Sequence, residues 1–366
     1  MIKNTMDRID FMAAEVVQYQ EIIKQKEWVY WGFDNYFPNH LLALYQNSPI
    51  HRACSNAISY GVKGRGIYNT LNDEQLLMAN RRETVYEVYK KCVIDRVLFG
   101  VFSINVILDN AGNVSELYHT DVSKIRSGKV DEFNNVQNYF LSAEWKYPQK
   151  FVPIEIPTFD LTNKDKASQL YFVKTYTPNY NYYGVPDYFA AVATIQLDIE
   201  VKNFHLNNIQ NSLLPSMAIS FNNGIPSDEE KDIIYRQLVD KYTSTNNAGK
   251  IFLFFSDTPE SAPTITPIPN NGSDDFYTGL YTNIEETILT AHRITNPALI
   301  GIKTAGQLGG RNELEESYNL FQNIVIKPVQ DEILQHFNKL LFLRDKKQYD
   351  LKVEQVQIMD LEKPVI

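Results

Sequence analysis

The sequence predicts an α+β protein in which two long helices flank a small β-α-β insert. Apolar residues recur at three- and four-residue steps over residues 187–213 and again over residues 273–296, which is the periodicity of amphipathic helices. Between them lie two short apolar runs separated by a polar segment that carries a helix-start signal. A Gly-rich loop follows, and a third long apolar pattern at 312–343 contains a proline, which predicts a kinked helix.

The composition indicates a globular protein that does not bind DNA tightly. The chain has 366 residues, 44% of them hydrophobic, which is enough for two or three structural units. Its net charge is −9 and it has no run of Lys and Arg, whereas tight DNA binding needs clustered cations to displace counterions. No apolar run approaches the roughly 18 residues of a membrane-spanning helix. The first residues also lack a signal-peptide pattern, so we expect the chain to fold in a cytoplasm.

The first half predicts a polar arm, a helical region and an antiparallel β unit. Residues 1–30 are polar and predict a partly helical arm. Helices are expected from about Pro38, which suits a first helical turn, and over residues 50–60. Another is expected over residues 83–99, where Gly100 ends the pattern. The expected β elements are a strand after the Gly-containing turn at 61–66, a strand at 101–108, a hairpin turn at 109–112 and further short strands to about residue 176.

The second half predicts the insert and three long helices. The first helix, Asp187–Leu213, would be about 40 Å long at roughly 1.5 Å per residue. The insert comprises a strand at Met217–Phe221, a helix capped by Ser227 with Glu230 three residues on, and a strand at Ile251–Phe255. The remaining boundary signals are Ser273 as cap of the second long helix, Asn296-Pro297 as its end, three glycines within 304–310, Asn312 as cap of the third helix, Pro328 as its kink and a last strand at 349–358.

No catalytic, metal or cofactor site is predicted. The sequence contains no metalloprotease, nucleophile-elbow, phosphate-loop or Cys-x-x-Cys motif. His40 and His51 have a spacing that fits no metal-ligand pattern, and the paired glutamates at 285–286 and 315–316 are expected on solvated helix faces. Cys54 and Cys92 lie in apolar helical segments and are expected to be reduced core residues.

The stretch from Tyr183 to Leu341 resembles the core of tailed-bacteriophage portal proteins. No single motif carries the resemblance; the ordered set does. The matching segments are Tyr183-Gly184-Val185-Pro186 before the first long helix, Leu214-Pro215-Ser216, the Ser-Asp-Glu-Glu run from Ser227, Asn246-Asn247-Ala248-Gly249-Lys250, the run from Ile294 to Gly301, Asn312-Glu313-Leu314-Glu315-Glu316, Phe321 and Ile326-Lys327-Pro328.

This resemblance implies a portal-like fold and a set of partners. Portal proteins form a ring, usually of about twelve subunits, at one vertex of the capsid, and double-stranded DNA enters and leaves through its channel. The large terminase subunit, an ATP-driven motor, docks on the clip, and head–tail adaptor proteins later take that position. The major capsid protein surrounds the ring. The resemblance therefore implies a virion protein, assembled in the host cytoplasm, with no enzymatic activity, no cofactor and no membrane contact.

The resemblance also implies a domain plan. The expected regions are an N-terminal arm at 1–32, a wing region of helices and an antiparallel β unit at 33–183, stem helix 1 at 184–214, a β-α-β clip at 215–271, stem helix 2 at 272–296, a tunnel loop at 297–311, a long kinked wing helix at 312–343 and a C-terminal strand and tail at 344–366. Little chain remains for a helical crown, which is expected to be minimal or absent.

Three groups of residues become candidate site residues under that plan. In the tunnel loop, Lys303, Gln307 and Arg311 are expected to touch DNA transiently, although they could equally be ordinary loop solubilisers. The channel-facing candidates of stem helix 1 are Asn203, Asn207, Gln210 and Asn211, and the terminase- or adaptor-binding candidates of the clip are Asn222, Asn223, Asp228, Lys231 and Arg236. The alternatives are another virion connector, a non-phage scaffold protein and a metal-dependent nuclease with an unrecognised site.

Overall fold

The computed structural model describes residues 20–24, 26–71, 77–211, 217–221, 226–227, 229–234, 236, 251–255, 273–302 and 311–356. The chain divides into two units. The base comprises the residues up to 195 and from 285 onward, and the second unit comprises residues 196–284.

The elements alternate between helices and short strands. The helices are α1 Phe37–Asn47, α2 Pro49–Lys63, α3 Val85–Phe99, α4 Val192–Asn211, α5 Ser273–Ala291, α6 Arg311–Phe321 and α7 Lys327–Asp345. The strands are β1 Glu21–Ile22, β2 Tyr30–Trp31, β3 Gly66–Asn69, β4 Val101–Leu108, β5 Val114–His119, β6 Ile125–Ser127, β7 Asn138–Leu141, β8 Ile154–Pro157, β9 Ser168–Lys174, β10 Met217–Phe221, β11 Ile251–Phe255 and β12 Leu351–Glu354. This mixed architecture confirms the α+β fold class.

Local signals explain where the first helices begin and end. Ser48 separates α1 from α2, and its hydroxyl oxygen accepts a hydrogen bond from the His51 backbone N–H at 3.2 Å. Thr84 and Glu87 form a reciprocal capping box at the start of α3. Gly100 ends α3 in the left-handed region at a φ of 72°, as the sequence predicts.

Two three-stranded sheets form the β unit of the base. Their strand orders are β5-β4-β9 and β6-β7-β8, and every pairing is antiparallel. The predicted hairpin turn after β4 is confirmed, because the Gly112 N–H donates to the Asp109 carbonyl oxygen at 2.9 Å. The β4 side chains of Phe102, Ile104 and Val106 are fully buried. The predicted antiparallel β unit beside helices is therefore confirmed.

A fully buried arginine, Arg126 of β6, joins the β unit to Asn35, which lies just after the arm. The Arg126 Nε–H donates to Asn35 Oδ1 at 2.6 Å, and its Nη2 donates to the Asn35 carbonyl oxygen at 2.7 Å. Its Nη1 donates to the carbonyl oxygens of Ser123 and Ile125. The Trp145 ring centroid lies 4.8 Å from the guanidinium carbon. Burial lowers the pKa of Arg126 to about 10. The surrounding oxygens and the aromatic face stabilise the charged guanidinium.

Strand β3 pairs with β12, which joins distant parts of the sequence. The register is antiparallel, with Asn69 opposite Leu351. Beside this pair, Gln330 of α7 donates from Nε2 to the carbonyl oxygens of Gly61 and Val62 at 3.1 and 3.2 Å. The predicted turn into a strand after α2 is confirmed, and the predicted last strand is confirmed over residues 351–354.

The third long helix contains an irregular turn beside its proline. A π-helical turn at Gln322–Ile326 separates α6 from α7, and the Lys327 N–H donates to the Gln322 carbonyl oxygen five residues earlier. Pro328 has no N–H, and its ring would clash with a carbonyl oxygen four residues back in a regular α-helix, so the wider turn accommodates it. The predicted apolar face is buried at Phe321, Val325, Val329, Ile333, Phe337 and Leu340.

The second unit contains a parallel strand pair. Strand β10 pairs with β11 in the register Met217↔Ile251, and residues 229–234 between them are helical. The Ser227 N–H donates to Glu230 Oε2 at 2.9 Å, and the Glu230 N–H donates to Ser227 Oγ at 3.4 Å. Parallel pairing needs a crossover of this kind. The predicted β-α-β order and capping box are therefore confirmed in the described residues.

The predicted start of the first long helix is wrong. Helix α4 begins at Val192 after a 3-10 turn at Phe189–Ala191, not at Asp187, because Tyr188 has non-helical backbone angles and is buried. Within the predicted partly helical arm, Glu21–Ile22 and Tyr30–Trp31 form an antiparallel strand pair, and residues 1–19 lie outside the described residues. The described parts of α5 and α6 begin at Ser273 and Arg311, close to the helix starts predicted at Ser273 and Asn312. Among the described residues, no helix is long and apolar enough to cross a membrane.

Candidate functional site in the base

The base contains a buried aromatic cluster where the chain leaves for the second unit and where it returns. Tyr188 precedes α4, His292 follows α5, and His51 lies in the first turn of α2. The distance from His51 Nδ1 to His292 Nε2 is 2.9 Å. The Tyr188 ring stacks on the His292 ring, with centroids 5.1 Å apart and planes inclined by 27°. We call these three residues the aromatic cluster; all of them belong to the base.

The His292 ring of the aromatic cluster is uncharged at physiological pH. Burial, together with the neighbouring His51 ring, lowers the pKa of His292 to about 3. The contact between the two rings is therefore a hydrogen bond in which one nitrogen donates and the other accepts. The Tyr188 hydroxyl donates to the Leu98 carbonyl oxygen at 2.7 Å, which satisfies its polar end.

An ion network lies beside the aromatic cluster. Arg96 of α3 is only 5% exposed, and its Nη2 lies 3.0 Å from Glu332 Oε2 on α7. Its Nη1 lies 3.4 Å from Asp187 Oδ1, just before α4. Burial alone would lower the pKa of Arg96, but Asp187 and Glu332 raise it above its usual value. The network therefore joins α3, α7 and the residue that leads into α4 by charge.

Two glycines allow close backbone contact at the same place. Gly100 has a φ of +72°, and a Cβ atom there would lie 2.1 Å from the Val185 carbonyl oxygen. A Cβ atom on Gly184 would lie 2.8 Å from Val101 Cγ1. The Tyr183-Gly184-Val185-Pro186 segment is thus seated directly on the end of α3. Only glycine fits at Gly100, because both its φ and its space exclude a side chain.

Catalytic chemistry has no support among the described residues. Asp95 is buried and accepts a hydrogen bond from His119 Nε2 at 2.8 Å and from the Val122 N–H at 3.3 Å. Burial raises the pKa of Asp95. No described serine or cysteine donates to His119, so the pair is a structural contact. Within the described ranges, no group of three or more His, Cys, Asp or Glu side chains could hold a metal ion. Both cysteines are buried and free, and burial raises the pKa of Cys54 to about 12, which makes its thiol unreactive.

For most of the predicted site residues, the structure describes no side chain. Lys303, Gln307, Asn222, Asn223 and Asp228 are outside the described residues. Arg311 opens α6, and Asn207, Gln210 and Asn211 continue α4, but only their backbone positions are described. The side chains described are those of Asn203, which is exposed on α4, Lys231, which is half-buried, and Arg236, which is exposed. All of these functional assignments remain predictions.

The aromatic cluster was not predicted from the sequence, although signals for it were present. His292 continues the apolar steps of Ile284 and Ile288 by four residues, and both isoleucines are fully buried or nearly so. His51 lies three residues before Cys54, which is also buried. A histidine in an apolar stripe indicates a buried polar partner. The spacing of His40 and His51 fits no metal-ligand pattern, and the residue that His51 contacts is His292.

The sequence model of the phage portal protein family matches residues 62–363, which is most of the chain. The chain belongs to the phage portal protein family. The aromatic cluster residues Tyr188 and His292, the ion network and the Gly100 contact therefore all involve the part of this portal protein that the family model covers. Only His51 lies ahead of it.

One sequence relative and two solved structures are similar to this chain, and the two structures share its fold. A protein of Rickettsia bellii (strain RML369-C), described as "Uncharacterized protein", is 34% identical over 90 residues, which is 24% of this portal protein and 23% of the relative. The match thus spans less than a quarter of that relative. The structure "Neck of empty GTA particle computed with C6 symmetry" aligns over 87% of this chain and 85% of its own, with a TM-score of 0.59 and 15% identity. "Virion of native gene transfer agent (GTA) particle" aligns over 89% and 84%, with a TM-score of 0.59 and 14% identity.

Proposed function

We propose that this portal protein assembles into a ring-shaped channel at one vertex of a capsid. Double-stranded DNA is packaged and ejected through the channel, and the tail attaches to it. Family membership over residues 62–363 carries the proposal. The likeness in fold to chains from the neck and the virion of a gene transfer agent particle supports it. The protein would then be a structural part of a virion and not an enzyme.

Exposed apolar side chains on α4 support assembly with further copies. Leu197, Phe204 and Leu206 are 42%, 45% and 52% exposed. A closed ring needs head-to-tail contacts in which two different surfaces of each subunit meet. Apolar side chains left in water on a long helix are suited to such contacts. Leu197 and Phe204 are seven residues apart and share one face of α4, which we assign to the contact with a neighbouring copy, whereas Leu206 lies on the opposite side of the helix.

The charge of the chain suits a channel through which DNA slides. Each cation that neutralises a phosphate adds affinity, and affinity opposes movement. The net charge of −9 favours weak contacts. Within this proposal, Lys303, Gln307 and Arg311 touch DNA transiently, and Asn203, Asn207, Gln210 and Asn211 face the channel. The large terminase subunit and the head–tail adaptor take turns on the clip at Asn222, Asn223, Asp228, Lys231 and Arg236, and the major capsid protein surrounds the wing.

Electron microscopy of the purified protein with mass measurement by light scattering tests the proposal. Rings with a central hole and about twelve subunits are the expected result. If only monomers form with and without capsid protein, the ring is refuted. Divalent-dependent cleavage of DNA by the pure protein would favour the nuclease alternative.

A charge-neutral double variant, Lys303→Gln with Arg311→Gln, tests the tunnel-loop assignment. We expect altered DNA packaging or retention in particles, because two transient phosphate contacts are lost, while ring assembly stays intact. The matched control is Arg82→Gln with Lys150→Gln, which removes two exposed charges from the base. Unchanged packaging and retention in the tunnel-loop variant would refute the assignment.

A further inference from the structure

The carboxylate of Glu21 is held by three consecutive backbone N–H groups. Its Oε2 accepts from the Asn181 N–H at 2.8 Å, and its Oε1 accepts from the N–H groups of Tyr182 and Tyr183 at 3.0 and 2.8 Å. Successive N–H groups that converge on one point form an anion-binding nest. A negatively charged side chain from the N-terminal arm occupies this nest, about 160 residues away in sequence.

A second part of the arm, residues 29–31, contacts the Tyr183 side chain of the same loop. Trp31 is fully buried, and its ring stacks on Tyr183 with centroids 4.2 Å apart and planes inclined by 7°. The Tyr183 hydroxyl donates to the Val29 carbonyl oxygen at 2.6 Å and accepts from the Ser127 N–H at 2.9 Å. The loop at 181–183 is therefore clamped between the arm and the β unit.

The two parts of the arm differ in how firmly they are held. Val29 and Trp31 are fully buried, so they anchor the arm permanently. Glu21 and Ile22 are only half-buried, Ile23 is 58% exposed, and β1 pairs with β2 over two residues. Segments with few buried apolar contacts and exposed hydrogen bonds open at low free-energy cost. Residues 20–22, which we call the latch, can therefore open while the anchor stays in place.

The position of the nest gives the latch a role. Residues 181–183 immediately precede Gly184, whose backbone lies against Gly100 and Val101, and the chain then passes through Pro186 into α4. We propose that Glu21 is a positioning residue: its carboxylate fixes the segment through which the chain enters α4, and opening of the latch releases that segment. This deepens the proposed function and rests on it, since α4 corresponds to stem helix 1 of the proposed channel.

Hydrogen–deuterium exchange of the full chain, read by mass spectrometry, tests the latch. In Glu21→Gln we expect the amides of residues 181–183 to exchange about tenfold faster or more, because hydrogen bonds to a charged acceptor become weaker bonds to a neutral one. Peptides from α3 and β4 should be unchanged. Glu27→Gln, which neutralises an exposed carboxylate of the same arm, is the matched control and should leave residues 181–183 as in the wild type. Glu21→Asp keeps the charge with a shorter reach and should restore part of the protection.

The outcomes separate the latch from the proposed function. Unchanged exchange at residues 181–183 in Glu21→Gln overturns the proposal. Faster exchange throughout α3 and β4 as well would show general destabilisation, which also overturns a positioning role. If Glu21→Gln does not fold, Glu21→Asp serves the same comparison, and no acceleration at 181–183 there overturns the proposal. Light scattering of the wild type measures ring formation separately. If no ring forms, the exchange rates at residues 181–183 still test the role of Glu21.

Discussion

The buried His292 should make the stability of the base depend on pH. An unfolded histidine has a pKa of about 6.5, whereas burial and the neighbouring ring lower that of folded His292 to about 3. Between these values the unfolded chain binds a proton that the folded chain does not. The stabilisation is therefore complete above the unfolded pKa and is lost as the pH falls towards the folded one, at about 1.4 kcal/mol per pH unit. From pH ~7.5 to pH ~5 the loss from His292 amounts to about 2 kcal/mol.

Urea denaturation of the wild type and His292→Gln at several pH values measures this contribution. Glutamine can still hydrogen-bond but does not titrate, so we expect the variant to be less stable near neutral pH and the difference to shrink by about 2 kcal/mol by pH ~5. Burial also lowers the pKa of His40 and His336 and raises that of Asp95. The two histidines add to the loss of stability at low pH, and Asp95 opposes it. These contributions are the same in the wild type and in His292→Gln. Parallel pH profiles would refute a neutral, buried His292.

Three further substitutions test the contacts of the base by chemical denaturation. Gly100→Ala should cost more than about 2 kcal/mol, because alanine resists a positive φ and its Cβ would meet the Val185 carbonyl oxygen at 2.1 Å; a loss below 1 kcal/mol, roughly the conformational cost alone, would contradict the close contact. Arg126→Met should cost about 3 kcal/mol or more, since it leaves several buried oxygens without a donor; a neutral result would show that those oxygens find other donors. Glu332→Gln should cost about 2 kcal/mol by weakening the contact with buried Arg96, and the loss should vanish in an Arg96→Met background.

Local signals in the sequence predicted most of the regular elements. The Gly100 stop, the hairpin turn at 109–112 and the Ser227 capping box each depend on residues within five positions of one another, and each is confirmed. The buried apolar face of α7 was likewise predicted from the three- and four-residue spacing of its apolar side chains.

The remaining features could not be predicted because they depend on contacts between distant residues. Tyr188 leaves the helix because its ring packs on His292, which is more than 100 positions away. The nest for Glu21 consists of backbone N–H groups, which leave no trace in side-chain patterns. The resemblance to portal proteins indicated the Tyr183–Pro186 segment of the candidate site. It did not indicate which residues that segment contacts.

The pairing of β3 with β12 has a consequence for the timing of synthesis. Asn69 and Leu351 are partners at opposite ends of the chain, and a chain grows at about 5–20 residues per second. Strand β3 therefore leaves the ribosome roughly 15 to 60 seconds before its partner β12. During that interval Gly61 of α2 also lacks Ile326, against which it packs in the finished base. Chains whose synthesis stops early cannot complete the base, and the proposed ring would thus draw its subunits from fully translated copies.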